Sequence, residues 1–280
     1  MTDNLLTSPA DYDPFCITVP VDARLPGGGG GQMCGLYDLN PSKVGLVDTI
    51  QTSSSNYGKQ QEHYNGVDVT ISGRMRAGGL IQGGFNMGRT MTDTCDVIGK
   101  LDNPSLMSQP TGAAGNPAPV VLDPQCHKQG DWLPQVKLLG SHPLPWGFRI
   151  SGTYQTLVLD PITNGTSNLG FVANYVAANA VVTPSLGRPL SAGAANVTLN
   201  LLGAGEQYDK RTHQMDLRFT RTFPIGRRSR LQANVDLYNV FNANFVATRN
   251  GNYGNNGATW LRPGAILPAR LLKFGGQFNF

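Results

Sequence analysis

The four cysteines and four histidines of this 280-residue chain are the first residues whose types could carry chemistry. Cys16, Cys34, Cys95 and Cys126 include no CxxC pair, and His127 follows Cys126 too closely for a zinc finger. They separate into two local pairs, each within a Gly/Pro/Asp-rich stretch, which favours loop disulfides Cys16–Cys34 and Cys95–Cys126 in an oxidising compartment. Four cysteines allow three connectivities, and four free thiols are the alternative. His63, His127, His142 and His213 have no carboxylate and nucleophile at a recognisable motif spacing, so no catalytic residue is assigned and the chain reads as a non-enzyme. The run Gly27–Gly31 is followed by no Lys-Ser/Thr, so it reads as a flexible loop inside the first cysteine closure and not as a phosphate cradle. Asp11, Asp13 and Asp22 could gather around Ca²⁺, but their spacing departs from the EF-hand pattern, and no metal or cofactor is expected. Asn164 and Asn196 open Asn-X-Thr sequons, to which no role is assigned. Tyr57, Tyr64, Tyr253 and Trp260 lie in Asn/Tyr-rich segments whose rings and amides suit ligand contact; Tyr253 and Trp260 fit an aromatic girdle equally well.

The elements that must position these residues read as strands. Charged residues are only 14% of the chain while Gly and Pro number 35 and 19, which disfavours a helical protein. The net charge of +4 is too small, and the bases too scattered, for nucleic acid. In "YNGVDVTISGRMR", Val67, Val69, Ile71 and Met75 alternate with Asp68, Thr70, Ser72 and Arg74. The same period of two runs through "LIQGGFNMGRT", "QVKLLGSHP", "FRISGTYQT", "MDLRFTRTF", "LQANVDLY" and "LLKFGGQFNF", with Leu139 and Arg221 as exceptions. A period of two is the strand signature. About seven strands result.

The connections alternate too. Ala77–Gly79, Pro143–Pro145 and Pro224–Ser229 are short, whereas the links near 91–134, 156–213 and 239–267 are long. That asymmetry is normal in outer-membrane barrels, with short periplasmic turns and long extracellular loops. The expected fold is therefore all-β: an antiparallel transmembrane barrel segment, incomplete relative to a full barrel, with residues 1–63 an extracellular loop region and 64–280 the barrel strands. Charges face a wet lumen and Val, Leu, Ile, Phe and Met face lipid. A soluble sandwich would show the same alternation against a core, so a secreted β-sandwich binding carbohydrate or a surface partner is the second reading. No segment reaches the ~20 apolar residues of a membrane helix, and the N-terminus lacks the basic and apolar regions of a signal peptide.

Stretches along nearly the whole chain resemble the C-terminal part of TonB-dependent outer-membrane receptors, in particular the Oar-like group with carboxypeptidase-regulatory-like domains. They include "YDPFCITVPVDARLPGGGGGQMCGLYDLNPSKVG", "NYGKQQEHYNGVDVTISGRM", "QVKLLGSHPLPWGFRISGTYQ", "QMDLRFTRTF", "RLQANVDLYNVFNANFV" and "NYGNNGATWLRPGAILPARLLKFGGQFNF". The resemblance implies a barrel of about 22 strands with a plugged lumen, importing iron chelates, cobalamin or oligosaccharides under the drive of an inner-membrane TonB complex. The plug, the TonB box and the N-terminal barrel strands have no counterpart here, so the chain reads as the last third of such a barrel, either a section of the receptor or a non-functional remnant. Its partners would be outer-membrane lipid, those missing parts, the TonB complex through them, and the barrel assembly machinery. Phe274, Phe278 and Phe280 resemble the terminal assembly signal, a free-edged strand able to join another sheet.

Overall fold

A computed structural model describes residues 2–101, 121–122, 124–158, 170–226 and 228–280. Strands take 51% of the described residues and helices little, so the protein is all-β. Its largest sheet has eight strands. Seven form one antiparallel meander in sequence order: β1 (Gln61–Arg74), β2 (Leu80–Asp93), β3 (Gln135–Pro143), β4 (Phe148–Leu157), β5 (Thr212–Ile225), β6 (Ser229–Tyr238) and β7 (Leu271–Asn279). The eighth, His127–Gln129, pairs with β2. β1 and β7 are the two ends of the path, so the sheet is open.

The register preserves the alternation across the whole meander. Val69 faces Phe85 and Phe85 faces Val136, while Leu138 faces Tyr154 and Tyr154 faces Met215. Ile150 faces Phe219, Phe219 faces Val235, and Val235 faces Phe274. Directly opposed residues share a face, so these contacts build one continuous apolar surface. The other surface carries Asp68 opposite Asn86, Thr153 opposite Asp216, and Arg218 opposite Asp236, itself opposite Lys273. A slip of one residue at any ladder would put charges onto the apolar face.

The short connections are tight turns. Met75 N–H donates to Gly79 O at 2.8 Å, and Leu144 N–H to Phe148 O at 2.8 Å. In the second turn Trp146 and Gly147 both take positive φ, 60° and 76°. Arg221, the sequence exception, lies toward this turn side of the sheet. Its guanidinium sits 4.8 Å from the Phe148 ring centre and 4.6 Å from that of Phe223. The charge is thus held by two aromatic faces at the sheet margin.

The long links and the N-terminal region carry short strands of their own. Residues before β1 form a hairpin, Tyr12–Thr18 with Gln32–Leu39, and a short pair, Thr2–Asn4 with Thr49–Gln51. A four-stranded sheet draws Val121–Leu122 from the first link, Asn174–Ala178 and Asn196–Asn200 from the second, and Asn252–Gly254 from the third. An eight-residue helix, α1 (Asn179–Leu186), packs between this sheet and the hairpin. Together they form a cap on the loop side of the wall. The main hydrophobic cluster lies here: Phe15, Ile17 and Leu36 of the hairpin meet Phe171, Tyr175, Val182, Leu199 and Leu202, and then Tyr253 and Trp260. The convergence has a physical reason: apolar residues spread over four distant segments become one core only when those segments meet.

Candidate functional site

The polar face of the wall is the first feature with functional geometry. Thr70, Ser72, Gln82, Lys137, Thr153, Gln155, Gln214 and Asp216 line a cavity of about 760 Å³ across β1 to β5. Leu139, the other sequence exception, lies among them. Cross-strand bonds hold these side chains. Gln155 donates to Gln214 at 2.9 Å, Thr220 to Asn234 at 2.8 Å, and Arg218 grips Asp236 through two bonds of 2.5 and 2.9 Å. Asn86 donates to Asp68, and the backbone N–H of Asn239 donates to Asp216 at 2.7 Å. These paired charges and amides give a hydrophilic surface.

The cap is tied together by bases that each join two segments. Arg24 bonds Asp22 at 2.6 Å, donates to the carbonyls of Gly257 and Trp260 at 2.6 and 3.0 Å, and lies 5.4 Å from the Trp260 ring centre. Tyr253 completes the latch by donating to Asp22 at 3.0 Å. The Arg24 guanidinium holds the Asp22 carboxyl down at about 2. Burial, aided by that carboxylate, pushes the Tyr253 hydroxyl up to about 12. Arg188 bridges Asp13 and Asp38 at 2.6 and 2.5 Å, and Lys43 meets Asp11 at 2.9 Å. The three aspartates weighed as a calcium group are therefore each paired with a base, Asp11 with Lys43, Asp13 with Arg188 and Asp22 with Arg24. Among the described residues no cluster of three His, Cys, Asp or Glu could hold a metal ion.

Both cysteine pairs are bonded as their positions suggested, Cys16–Cys34 within the hairpin and Cys95–Cys126 across the first link. The first spans a register shift between Phe15 and Ile17. The second draws the chain back onto β2, where His127 bonds Asp93 at 3.0 Å. The Gly27–Gly31 run is not a loose loop. Gly27 to Gly30 all take positive φ, and Gly30 N–H and Gly31 O bond Val19. A Cβ at Gly29 would lie 2.0 Å from the Pro20 carbonyl oxygen, so this path requires glycine.

The four aromatic ligand-contact candidates are not brought together. Tyr253 and Trp260 are each 2% exposed, 5.4 Å apart, with Trp260 Nε1 donating to Val172 O at 2.8 Å. Their rings serve the cap core, which corrects both the ligand-contact and the girdle expectations for them. Tyr57 donates to Asp3 in the N-terminal region. Tyr64 lies on the polar face of β1, with its ring over the facing pair Gly66 and Gly88. Phe274, Phe278 and Phe280 lie exposed along one face of the terminal strand, with Phe278 and Phe280 stacked 6.0 Å apart. His213 accepts or donates a 2.9 Å bond with Tyr154. Asn164 lies outside the described residues, and Asn196 opens a cap strand. A signal for the cap was present in "FCITV" and "NVTLN", short period-two runs inside segments otherwise rich in Gly, Asn and Pro. No family model, curated protein or solved structure matches the chain.

Proposed function

We propose that this chain is a section of an outer-membrane β-barrel, part of the pore wall and outer loops of a TonB-dependent receptor. One observation carries the membrane reading. The apolar face of the seven-strand meander is continuous, in register and uncovered, with Val69 56% and Phe274 72% exposed. The hydrophobic core of the protein lies instead in the cap. A soluble chain would bury such a face; a membrane wall presents it to hydrocarbon and turns paired charges inward. The sandwich reading needs a second sheet over the apolar face, and among the described residues none packs there. The specific assignment to a TonB-dependent receptor rests on the sequence resemblance. In that setting lipid covers the apolar face, the remaining strands and plug complete the pore, and the TonB complex acts through the plug. The terminal strand with Phe274, Phe278 and Phe280 offers its free edge to the assembly machinery.

The test is expression behind a bacterial signal peptide, followed by membrane fractionation. We expect the protein in the outer membrane, resistant to alkaline extraction, with Val69→Cys and Phe274→Cys shielded from a water-soluble thiol reagent. A soluble monomer that unfolds cooperatively without detergent would overturn the reading.

A further inference from the structure

We propose that the cap carries a binding site for an uncharged sugar residue, in a cavity between the N-terminal hairpin, α1 and the third link. The cavity has a volume of about 660 Å³, within the range of small-molecule sites. Its lining includes Thr18, Gln32, Tyr175, Ser185 and Asn255, together with apolar Pro20, Val181 and Pro184, and no acidic or basic residue. Nearby charges are already engaged, Arg188 with Asp13 and Asp38, and Arg24 with Asp22.

Tyr175 is the decisive residue. It is 5% exposed, and its ring packs edge-on against Tyr253 with centres 5.9 Å apart. Yet its hydroxyl makes no hydrogen bond with any described residue, and the oxygen is not sealed from solvent. A nearly buried tyrosine ordinarily finds a partner for its hydroxyl. Tyr175 lines the cavity, so a ligand seated there can supply that partner. Ser185 adds a second donor, because its oxygen already accepts the Cys16 N–H at 2.9 Å while its own proton stays available. The exposed amides of Gln32 and Asn255 offer both donors and acceptors. Hydroxyls and amides without charge, beside proline and valine surfaces, match a sugar, whose edge is hydroxyl and whose face is C–H. An anionic ligand would find no counter-charge, and burying its charge there would be unfavourable. The hairpin side of the site is fixed by the Cys16–Cys34 disulfide.

The site does not depend on the membrane reading, since the binding readout works on soluble or detergent-held protein alike. The experiment is a titration of the purified full chain with maltotriose, cellotriose and chitotriose, with trigalacturonate as the anionic counterpart. At least one neutral trisaccharide is expected to bind with a Kd on the order of 1 mM. Tyr175→Phe keeps the ring and removes the hydroxyl, and should weaken binding about tenfold, the value of one well-made hydrogen bond. Asn255→Ala, at an exposed position, should weaken it several-fold with the cap intact. Absence of binding by all three neutral sugars, tighter binding of trigalacturonate, or unchanged affinity in Tyr175→Phe would overturn the proposal.

Discussion

Asp22 sits where the hairpin and the third link of the cap meet, and its chemistry sets a pH window for the assembly. Its carboxyl is held at about 2 by Arg24, below the ordinary value of 3.8. A depressed acid stabilises the fold above its unfolded value, and that contribution fades as pH falls from 3.8 toward 2. Tyr253 acts at the other limit. Its hydroxyl titrates at about 12 in the fold and at 10.0 when free, so the unfolded chain loses that proton first. The contribution of Tyr253 is complete below pH 10 and is lost as pH rises toward 12. Near-ultraviolet circular dichroism of the cap aromatics should therefore show an acid and an alkaline transition. Asp22→Asn should flatten the acid limb, and Tyr253→Phe the alkaline one, with the latter losing about 1 kcal/mol at neutral pH for its hydrogen bond. Trp260→Ala removes the largest fully buried ring in the cap and should cost about 3–5 kcal/mol by thermal or denaturant unfolding. None of these effects was visible from the sequence, where Asp22 read as an acid among acids and Trp260 as a surface ring. The bond from Tyr253 to Asp22 spans 231 positions, and that from Trp260 to Val172 spans 88.

At the scale of elements, the wall was legible and the cap was not. The seven wall strands follow from a local rule, since neighbouring side chains point to opposite faces and the two faces meet different surroundings. Even the exceptions become readable in place: Arg221 lies between two phenylalanines, and Leu139 faces Thr153 on the polar side. Strand ends were less legible. β1 begins at Gln61, before the clear alternation from Val67, because its first residues pair with β2 without an apolar face to mark them. The cap strands of the hairpin and of Asn174–Asn200 are only five to eight residues long, too short for period alone to separate from loops. What holds such short strands is cross-linking, so reduction should act on them selectively. Each disulfide closes a loop, with sequence separations of 18 and 31, and should contribute about 3 kcal/mol. Dithiothreitol should lower the cap melting transition while far-ultraviolet β signal from the wall persists. The wall has its own paired test. Val235→Arg puts a charge on the apolar face and, in a bilayer, should cost about 2–4 kcal/mol, whereas Asn234→Arg on the polar face should be close to neutral. Refolding yield into lipid vesicles reads the difference.

For the whole molecule, the decisive quantity is the direction of its two free edges. β1 enters from the N-terminal cap region and leaves at a tight turn, so it runs from the cap side to the turn side. Six alternating strands later, β7 runs the same way. Antiparallel closure of β7 on β1 is therefore impossible within the chain, and a second copy inserted in the same orientation would meet it in parallel. An all-antiparallel ring needs an intervening block with an odd number of strands, whose first and last members run from the turn side to the cap side. Until such a block is present, two rows of backbone N–H and C=O groups stay unpaired, and in hydrocarbon each costs several kcal/mol. The chain expressed alone should consequently lack the resistance to sodium dodecyl sulfate unfolding that closed barrels show on unheated gels. Hydrogen exchange should be fast in β1 and β7 and slow in β4 and β5, which are paired on both sides. Co-expression with a polypeptide supplying an odd-stranded block should slow β1 and β7 together and restore the compact gel band. Slow exchange at both edges in the isolated, monomeric chain would mean that they are already covered, and the open-wall account would fail at its largest scale.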